Sequence, residues 1–218
     1  LALPAITSQI VNMLYNLVDR IYIGHIPEVG TQALTGVGVC MPIIMIISAF
    51  ASLASRGGAP RASIEMGKGS RDEAEHIMGN CAMVLVLLAL LLTVVFAVFG
   101  RALLLALGAS ENTIDYAHSY MQIYALGTLF VQFAMGMNAF ITAQGFAVYS
   151  LITVLIGAVL NTLLDPLFIF VFHMDVQGAA LATVISQAVS SAFVLRVLTG
   201  RQTILHRKHH MLRLNLTL

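Results

Sequence analysis

Charged side chains are scarce in this sequence. They account for 10% of the 218 residues, whereas hydrophobic residues account for 59% and the mean hydropathy is +0.90. Because soluble domains carry about 25% charged residues, this scarcity excludes an ordinary soluble protein and indicates a protein embedded in the lipid bilayer. The formal net charge is only +1, which offers no argument for a nucleic-acid partner, and we expect none.

Cysteines and catalytic signatures are also few. The two cysteines, Cys40 and Cys81, both fall in apolar segments, so the sequence suggests no disulfide framework. No HExxH motif, no GxGD-type aspartate pair and no paired Ser and His are found, and His118 and His173 lie near the ends of apolar segments. We therefore expect a protein that is not an enzyme and that carries no cofactor.

Long apolar runs are what the sequence has in abundance. A helix needs about 20 residues to cross the hydrocarbon core, and only helices or closed barrels satisfy their backbone groups in lipid. The runs are too long and too continuously apolar for barrel strands, which alternate over about ten residues. The sequence therefore predicts an all-α membrane protein, a bundle of six transmembrane helices at about 1–24, 33–59, 77–99, 116–143, 149–172 and 178–199.

Lys and Arg collect in two places that indicate the orientation of the bundle. The connection between spans two and three and the segment after span six are rich in them, whereas the connections between spans one and two and between spans five and six carry none. Since positive residues concentrate in cytoplasmic loops, we expect the N-terminus and the tail at 201–218 to be cytoplasmic. The connection between spans two and three carries Arg56, Arg61, Lys68 and Arg71, and the segment after span six carries Arg201, Arg207, Lys208 and Arg213.

The two ends of the chain suggest a piece of a longer protein. The opening LALPAITSQI lacks an initiator Met, a charged region and a small-residue cleavage site, so it does not read as a signal peptide. We expect the chain to start inside its first span. The closing HMLRLNLTL has no helix cap and leads into no seventh span, which favours a linker that has been cut short.

Polar residues recur at helical spacing in span one. Asn12, Asn16 and Asp19 follow one another at intervals of four and three, and Ser8 lies one turn earlier, so all share one face of the helix. Polar side chains in a membrane helix face the protein interior or a water-filled cavity. Two other roles stay open: Asn12 and Asn16 as interhelical hydrogen-bonding groups, and Asp19 as the partner of Arg20 in an interfacial ion pair.

Span five places a carboxylate and a proline in an apolar segment, VLNTLLDPLFIF. Asn161 and Asp165 are four residues apart and share a helix face. Pro166 has no N–H, so it leaves the carbonyl of Thr162 without its helical partner and introduces a kink. A charged Asp in such surroundings costs several kcal/mol unless something compensates it; an ion pair with an Arg such as Arg196 is one alternative.

Together these groups suggest a site for a small cation. Two carboxylates on different helices, each flanked by amides, suit Na⁺, because Na⁺ takes carboxylate, amide and hydroxyl oxygens. Alternatively, two acids in a low-dielectric pocket exchange a proton near neutral pH. The sequence leaves H⁺ and Na⁺ both open and suggests no other metal. The candidate groups that spacing alone supplies are Asp19, Asn161 and Asp165.

Five segments of the chain, taken in order, resemble the multidrug and toxic compound extrusion (MATE) family of transporters. They are LPAITSQIVNMLYNLVDRIYIGH, ALTGVGVCMPIIMI, SYMQIYALG, LNTLLDPLFIF and GAALATVISQ, and the bacterial branch of drug exporters is the most similar. The resemblance covers the whole chain, but only as the family's N-terminal half. It implies a two-lobe transporter in which 1–200 form the N-lobe, 201–218 form a cytoplasmic inter-lobe linker, and the C-lobe is missing from this sequence.

The resemblance also implies a cation site inside the N-lobe. This sequence retains the residue types of that site: an acid on the first helix, a Tyr that begins the fourth, an Asn and an acid on the fifth, and a Thr on the sixth. By position they are Asp19, Tyr120, Asn161, Asp165 and Thr183. The resemblance thus implies that Asp19, Asn161, Asp165 and Thr183 bind the cation. We expect Tyr120, Asn12, Asn16 and Pro166 to support the cavity or the coupling.

The function implied is that of a cation-coupled antiporter, which exports organic and often cationic drugs or metabolites across the bacterial cytoplasmic membrane. One alternative is a lipid-linked oligosaccharide flippase of related architecture, which needs Lys and Arg for the diphosphate, and these spans carry almost none. Another is a channel-like or structural membrane subunit. A pore needs a polar stripe on several helices, whereas the polar groups here cluster on spans one, five and six.

Overall fold

The computed structural model describes residues 2–200, apart from the side chains of Ala2 and Ala5; the predicted linker at 201–218 lies outside the described residues. Within 2–200 the regular structure is helical, which confirms the predicted all-α membrane fold. The α-helices are α1 (Ala2–Gly24), α2 (Gly30–Leu53), α3 (Ala59–Gly67), α4 (Arg71–Ala106), α5 (Ile114–Leu126), α6 (Thr128–Gly136), α7 (Asn138–Ala143), α8 (Ala147–Pro166) and α9 (Asp175–Thr199). Two π-helical turns, Ala54–Gly58 and Leu167–Val171, follow α2 and α8.

The helices form six consecutive segments across the bundle. Four of them, 30–67, 71–106, 147–171 and 175–199, are long and apolar enough to cross a membrane, and the bent pair of α5 with α6–α7 makes a fifth by the same measure. Helix α1 has 23 residues, which is also the length of a span. Helix α1 is not among the segments that are apolar enough by that measure, because its polar stripe takes the place of apolar residues.

The second and third segments continue much further than the apolar runs suggest. Helix α2 passes through the π-helical turn Ala54–Gly58 directly into α3, and only residues 68–70 separate α3 from α4. The segment read from the sequence as a long connection is therefore mostly helix. Helix α4 has 36 residues, about 54 Å at about 1.5 Å per residue, and exceeds the roughly 30 Å core. Asp72 and Glu73 lie in its first turn, where acidic groups stabilise a helix N-terminus.

The fourth segment is bent by 60° between α5 and the pair α6–α7, where the sequence had predicted one continuous span. The bend lies at Gly127, which packs directly on Val184 of α9; a β-carbon at Gly127 would collide with the Val184 side chain. Glycine permits this close approach of two helices. The reason for the bend is thus a contact between helices, which an apolar pattern does not show.

Helix α9 lies at the centre of the bundle. It packs against α8, α6 and α5, while α8 also packs along α1. Small residues allow these approaches, as the sequence GAALA suggests. A β-carbon at Gly178 would lie 2.8 Å from the carbonyl carbon of Phe168, and one at Gly157 would lie 2.8 Å from Oγ of Ser190. The packing brings the polar faces of α1, α8 and α9 together.

Candidate functional site

Two acids from different helices meet in the interior of the bundle. Asp165 of α8 is fully buried and Asp19 of α1 is 9% exposed. Their carboxyl groups are within hydrogen-bonding reach of each other, because α8 packs along α1 over much of its length. The structure therefore brings together the two carboxylates that the sequence placed on separate spans.

Asn161 connects this pair of acids to α9. Its side-chain nitrogen donates one hydrogen bond to Oδ1 of Asp165, at 3.1 Å, and another to Oγ1 of Thr183, at 3.3 Å. The first bond follows from the spacing of four residues within α8, and the second from the packing of α8 on α9. Tyr120 of α5 is buried, lies beside Thr183 and Asp19, and stacks on Tyr124 at a centroid distance of 6.0 Å. The four predicted cation-binding residues and Tyr120 thus lie in one cluster.

Several oxygen atoms of this cluster are buried without a donor. Oδ1 of Asp19, Oδ1 of Asn161 and Oδ2 of Asp165 accept no hydrogen bond from any residue of 2–200, and the same holds for Oγ of Ser186 on α9. An unpaired buried acceptor costs about 1–3 kcal/mol. A bound proton or a small cation compensates that cost, and carboxylate and amide oxygens are ligands that hard cations take. Among the described residues no three His, Cys, Asp or Glu side chains group together, so the donor set is one of oxygens from two acids and their polar neighbours.

The backbone changes its helix type directly after the buried acid. Helix α8 ends at Pro166, and the π-helical turn Leu167–Val171 follows without a break. The sequence predicted a kink and a freed carbonyl at Thr162; the structure shows a widened turn that begins one residue after the proline. Since π-helical turns are local departures from the regular ladder and often accompany functional sites, Asp165 lies at a point where α8 is structurally irregular.

A cavity of about 680 Å³ opens beside Asp19. Asn12 and Asn16 of α1 line it, as predicted, and so do Gln187 and Ser190 of α9, which continue the polar face that begins at Thr183. The intervals of three and four that mark the stripe on α1 recur on α9, from Thr183 to Gln187 and on to Ser190, but neither Gln187 nor Ser190 was predicted. Further lining residues that were not predicted are Ser48, Ser55, Asn138, Thr142 and Ser150.

The structure also decides between alternatives that the sequence left open. Nδ2 of Asn16 donates to the backbone oxygen of Asn12 at 2.6 Å, so that its hydrogen bond stays within α1 and does not join two helices. Nη2 of Arg20 donates to Sδ of Met41 at 3.2 Å. Neither Arg20 nor Arg196 is in an ion pair with any residue of 2–200, so the ion-pair roles considered for the two acids are not those seen.

We compared the sequence with models of known protein families. The sequence pattern of the family described as MatE matches residues 4–167. This chain belongs to the MatE family. The resemblance read from the five sequence segments is therefore confirmed.

The curated relatives of this MatE chain are transporters. The "Multidrug export protein MepA" of Staphylococcus haemolyticus is 27% identical over 194 residues, which cover 89% of this chain and 42% of that protein. The "FAD transporter" of Shewanella oneidensis is 26% identical over 216 residues, which cover 97% of this chain and 46% of that protein. The MatE chain thus spans about half the length of the curated relatives that it matches.

Solved structures show the same relationship. A crystal structure of MATE in complex with MaD3S superposes with a TM-score of 0.89 at 25% identity, and the match covers 96% of this chain and 47% of that one. The six-segment bundle of the MatE chain is therefore confirmed as the fold of one half of a MATE transporter.

Proposed function

We propose that this MatE chain is one lobe of a cation-coupled antiporter, which exports organic and often cationic drugs or metabolites across the bacterial cytoplasmic membrane. The observation that carries the proposal is the contact between the buried acids Asp19 and Asp165 at the edge of the large cavity. In this account the N-terminus and the tail are cytoplasmic, and a second lobe completes the substrate path.

The coupling follows from the electrostatics of two acids in contact. Two negative charges in a medium of low dielectric constant repel strongly, and here one belongs to α1 and the other to α8. An H⁺ or Na⁺ that enters from outside and binds between Asp19 and Asp165 removes that repulsion. Asn161 and Thr183 hold the site in place through the hydrogen bonds from the Asn161 amide. Ion binding then favours closer approach of α1 to α8, and the bend of either helix changes so that substrate leaves outward.

The cavity suits an organic solute. Its volume of about 680 Å³ lies within the roughly 300–1,000 Å³ of pockets that hold drug-sized ligands. Amides, hydroxyls and the rings of Tyr120 and Tyr124 line it, together with apolar side chains such as Met135. Neutral polar groups and flexible thioethers accept varied shapes. The relatives named as multidrug exporters and as an FAD transporter support drugs and metabolites as the class to test.

The lining of the cavity argues against a flippase for a lipid-linked diphosphate. Among the described residues that line it, Arg20 is the single cationic side chain, and recognition of a diphosphate draws on several Arg and Lys side chains or on helix N-termini. Drug export is therefore the better supported of the two.

The test is export by the full-length protein that contains this lobe, reconstituted in vesicles and supplied with radiolabelled tetraphenylphosphonium, a permanent organic cation. Asp165→Asn removes the charge of the buried acid with little change of shape, and we expect gradient-driven export to fall at least tenfold. Asp175→Asn is the matched control, because Asp175 is exposed at the start of α9 and has a positive φ of 48°, which Asn tolerates well. Full, ion-dependent export by Asp165→Asn would contradict the coupling role of Asp165.

A further inference from the structure

Arg20 is exposed, and its guanidinium extends from α1 to α2 rather than toward the near end of α1. It lies four residues before the end of α1 at Gly24, and Arg side chains near helix ends usually reach outward to the interface. Here Nη2 instead donates to Sδ of Met41 on α2, 3.2 Å away. The direction agrees with the tilt of every Cα–Cβ bond toward the helix N-terminus.

The depth of Met41 shows how far inward the guanidinium is directed. The end of α1 abuts the start of α2, since a β-carbon on Gly30 would collide with the carbonyl oxygen of Gly24. Met41 is eleven residues beyond Gly30, which corresponds to about 16 Å along the axis of α2 at about 1.5 Å per residue. The backbone of Arg20 is only about 6 Å from the end of α1 by the same measure. The charged group is therefore directed toward the middle of the bundle.

Among residues 2–200 the guanidinium makes one hydrogen bond, to Met41, and the side chain is exposed where it lines the cavity. A thioether sulfur is a weak acceptor, and a guanidinium carries five N–H donors. No carboxylate of residues 2–200 pairs with Arg20. Arg20 lines the same cavity as Asp19, and among the described lining residues these two carry the only charges. A cation that faces the interior of a membrane protein is costly and marks a substrate or ion pathway.

We propose that Arg20 is a specificity-determining residue, which binds a carboxylate or phosphate group of the transported solute inside the cavity. The inference rests on the proposed function and narrows its substrate class: solutes that carry such an oxyanion, zwitterions included, are favoured over otherwise identical solutes without it. Arg binds oxyanions through parallel, charge-assisted hydrogen bonds. The adjacent Asp19 supplies the complementary charge for the cationic end of a zwitterion.

The experiment compares two dyes that differ in one group. Rhodamine 110 carries a free carboxylate, and rhodamine 123 is its methyl ester. For the full-length protein in vesicles, we measure the concentration of each dye that halves the export of radiolabelled tetraphenylphosphonium. In Arg20→Gln, the half-inhibitory concentration of rhodamine 110 is expected to rise about tenfold relative to that of rhodamine 123. A charge-assisted hydrogen bond contributes that much to binding. Arg20→Lys keeps the charge but loses the parallel pair of hydrogen bonds, and its ratio is expected to lie between those of the native protein and Arg20→Gln.

Two results would overturn the role of Arg20. One is an unchanged half-inhibitory concentration for each of the two dyes in Arg20→Gln. The other is an equal weakening of both dyes, which indicates that Arg20 supports the structure or pairs with another part of the full protein. A different measurement tests the proposed function: it is contradicted if the native protein exports no tetraphenylphosphonium under either an H⁺ or a Na⁺ gradient. The two failures are therefore distinguishable.

Discussion

The side-chain nitrogen of Asn161 lies 3.1 Å from Oδ1 of Asp165 and donates a hydrogen bond to it. Both residues belong to α8, and both are almost completely buried. The same amide reaches Thr183 of α9, while Asp165 contacts Asp19 of α1. One amide therefore fixes the position of a buried acid and ties it to α9, while the acid itself contacts α1.

Removal of the amide is expected to destabilise the fold. In Asn161→Ala, Oδ1 of Asp165 loses the donor that the described structure gives it, and Oγ1 of Thr183 loses a bond as well. A buried acceptor left unsatisfied costs about 1–3 kcal/mol, so we expect the thermal unfolding midpoint of the purified protein in detergent to fall clearly.

The matched control for this change is Asn16→Ala. Asn16 is an exposed Asn of α1 whose side-chain hydrogen bonds, to the backbone oxygen of Asn12 and with Tyr15, stay within its own helix. We expect its unfolding midpoint to stay close to the native one. Equal midpoints for Asn161→Ala and Asn16→Ala would show that the buried amide does not hold the site together.

The hydroxyl of Thr183 is expected to affect ion binding more than stability. Thr183→Val keeps the shape of the side chain and removes the acceptor that orients the Asn161 amide. We expect the half-saturating concentration of the coupling ion to rise roughly tenfold, the effect of one such hydrogen bond. Thr183→Ser restores the hydroxyl and is expected to behave like the native protein. The measurement is export rate against pH and against Na⁺ concentration, and identical curves for the Val and Ser variants would contradict the role of Thr183.

The contact between Gly127 and Val184 is expected to control the bend of the fourth segment. In Gly127→Ala the new methyl group collides with the Val184 side chain, and overpacking of this kind costs typically about 1–3 kcal/mol. Val184→Ala in the same chain removes the collision, so the double variant is expected to be more stable than Gly127→Ala alone. Thermal unfolding of the native protein, of Gly127→Ala, of Val184→Ala and of the double variant measures the coupling between the two positions.

Gly38→Ala is the control for that series. A β-carbon at Gly38 in α2 meets nothing within 4 Å, and Ala in a helix is more favourable than Gly by up to about 1 kcal/mol. We expect Gly38→Ala to be as stable as the native protein or more so. If Gly127→Ala behaved in the same way, the close approach of α5–α6 to α9 would not be the cause of the bend.

Local sequence spacing was enough to predict the centre of the site. Asn161 and Asp165 share a face because four residues make about one helical turn, and the stripe that ends at Asp19 follows the same rule. The polar residues are also informative because lipid tolerates them only for a reason. Hence the two acids, the amide and Thr183 were found without coordinates, and the structure placed them in contact.

The features that the sequence did not predict depend on contacts between distant residues. The bend at Gly127 is set by Val184, and a glycine in a membrane helix is too common to indicate a bend by itself. The inward direction of Arg20 is visible only through Met41, because a cation near a helix end usually extends to the interface. The helical continuation at 60–67 was predicted as a connection because its composition is polar, although a helix that leaves the bilayer has no need of apolar residues.

The most direct test of the account imposes a pH gradient and a Na⁺ gradient separately on vesicles that contain the full-length protein. We predict that one of the two gradients drives export of tetraphenylphosphonium by the native protein, and that neither gradient drives it in Asp165→Asn, while Asp175→Asn exports normally. Export by the native protein that needs neither gradient, or export by Asp165→Asn that still follows the same gradient, would contradict the claim that the buried pair of Asp19 and Asp165 couples ion entry to substrate export.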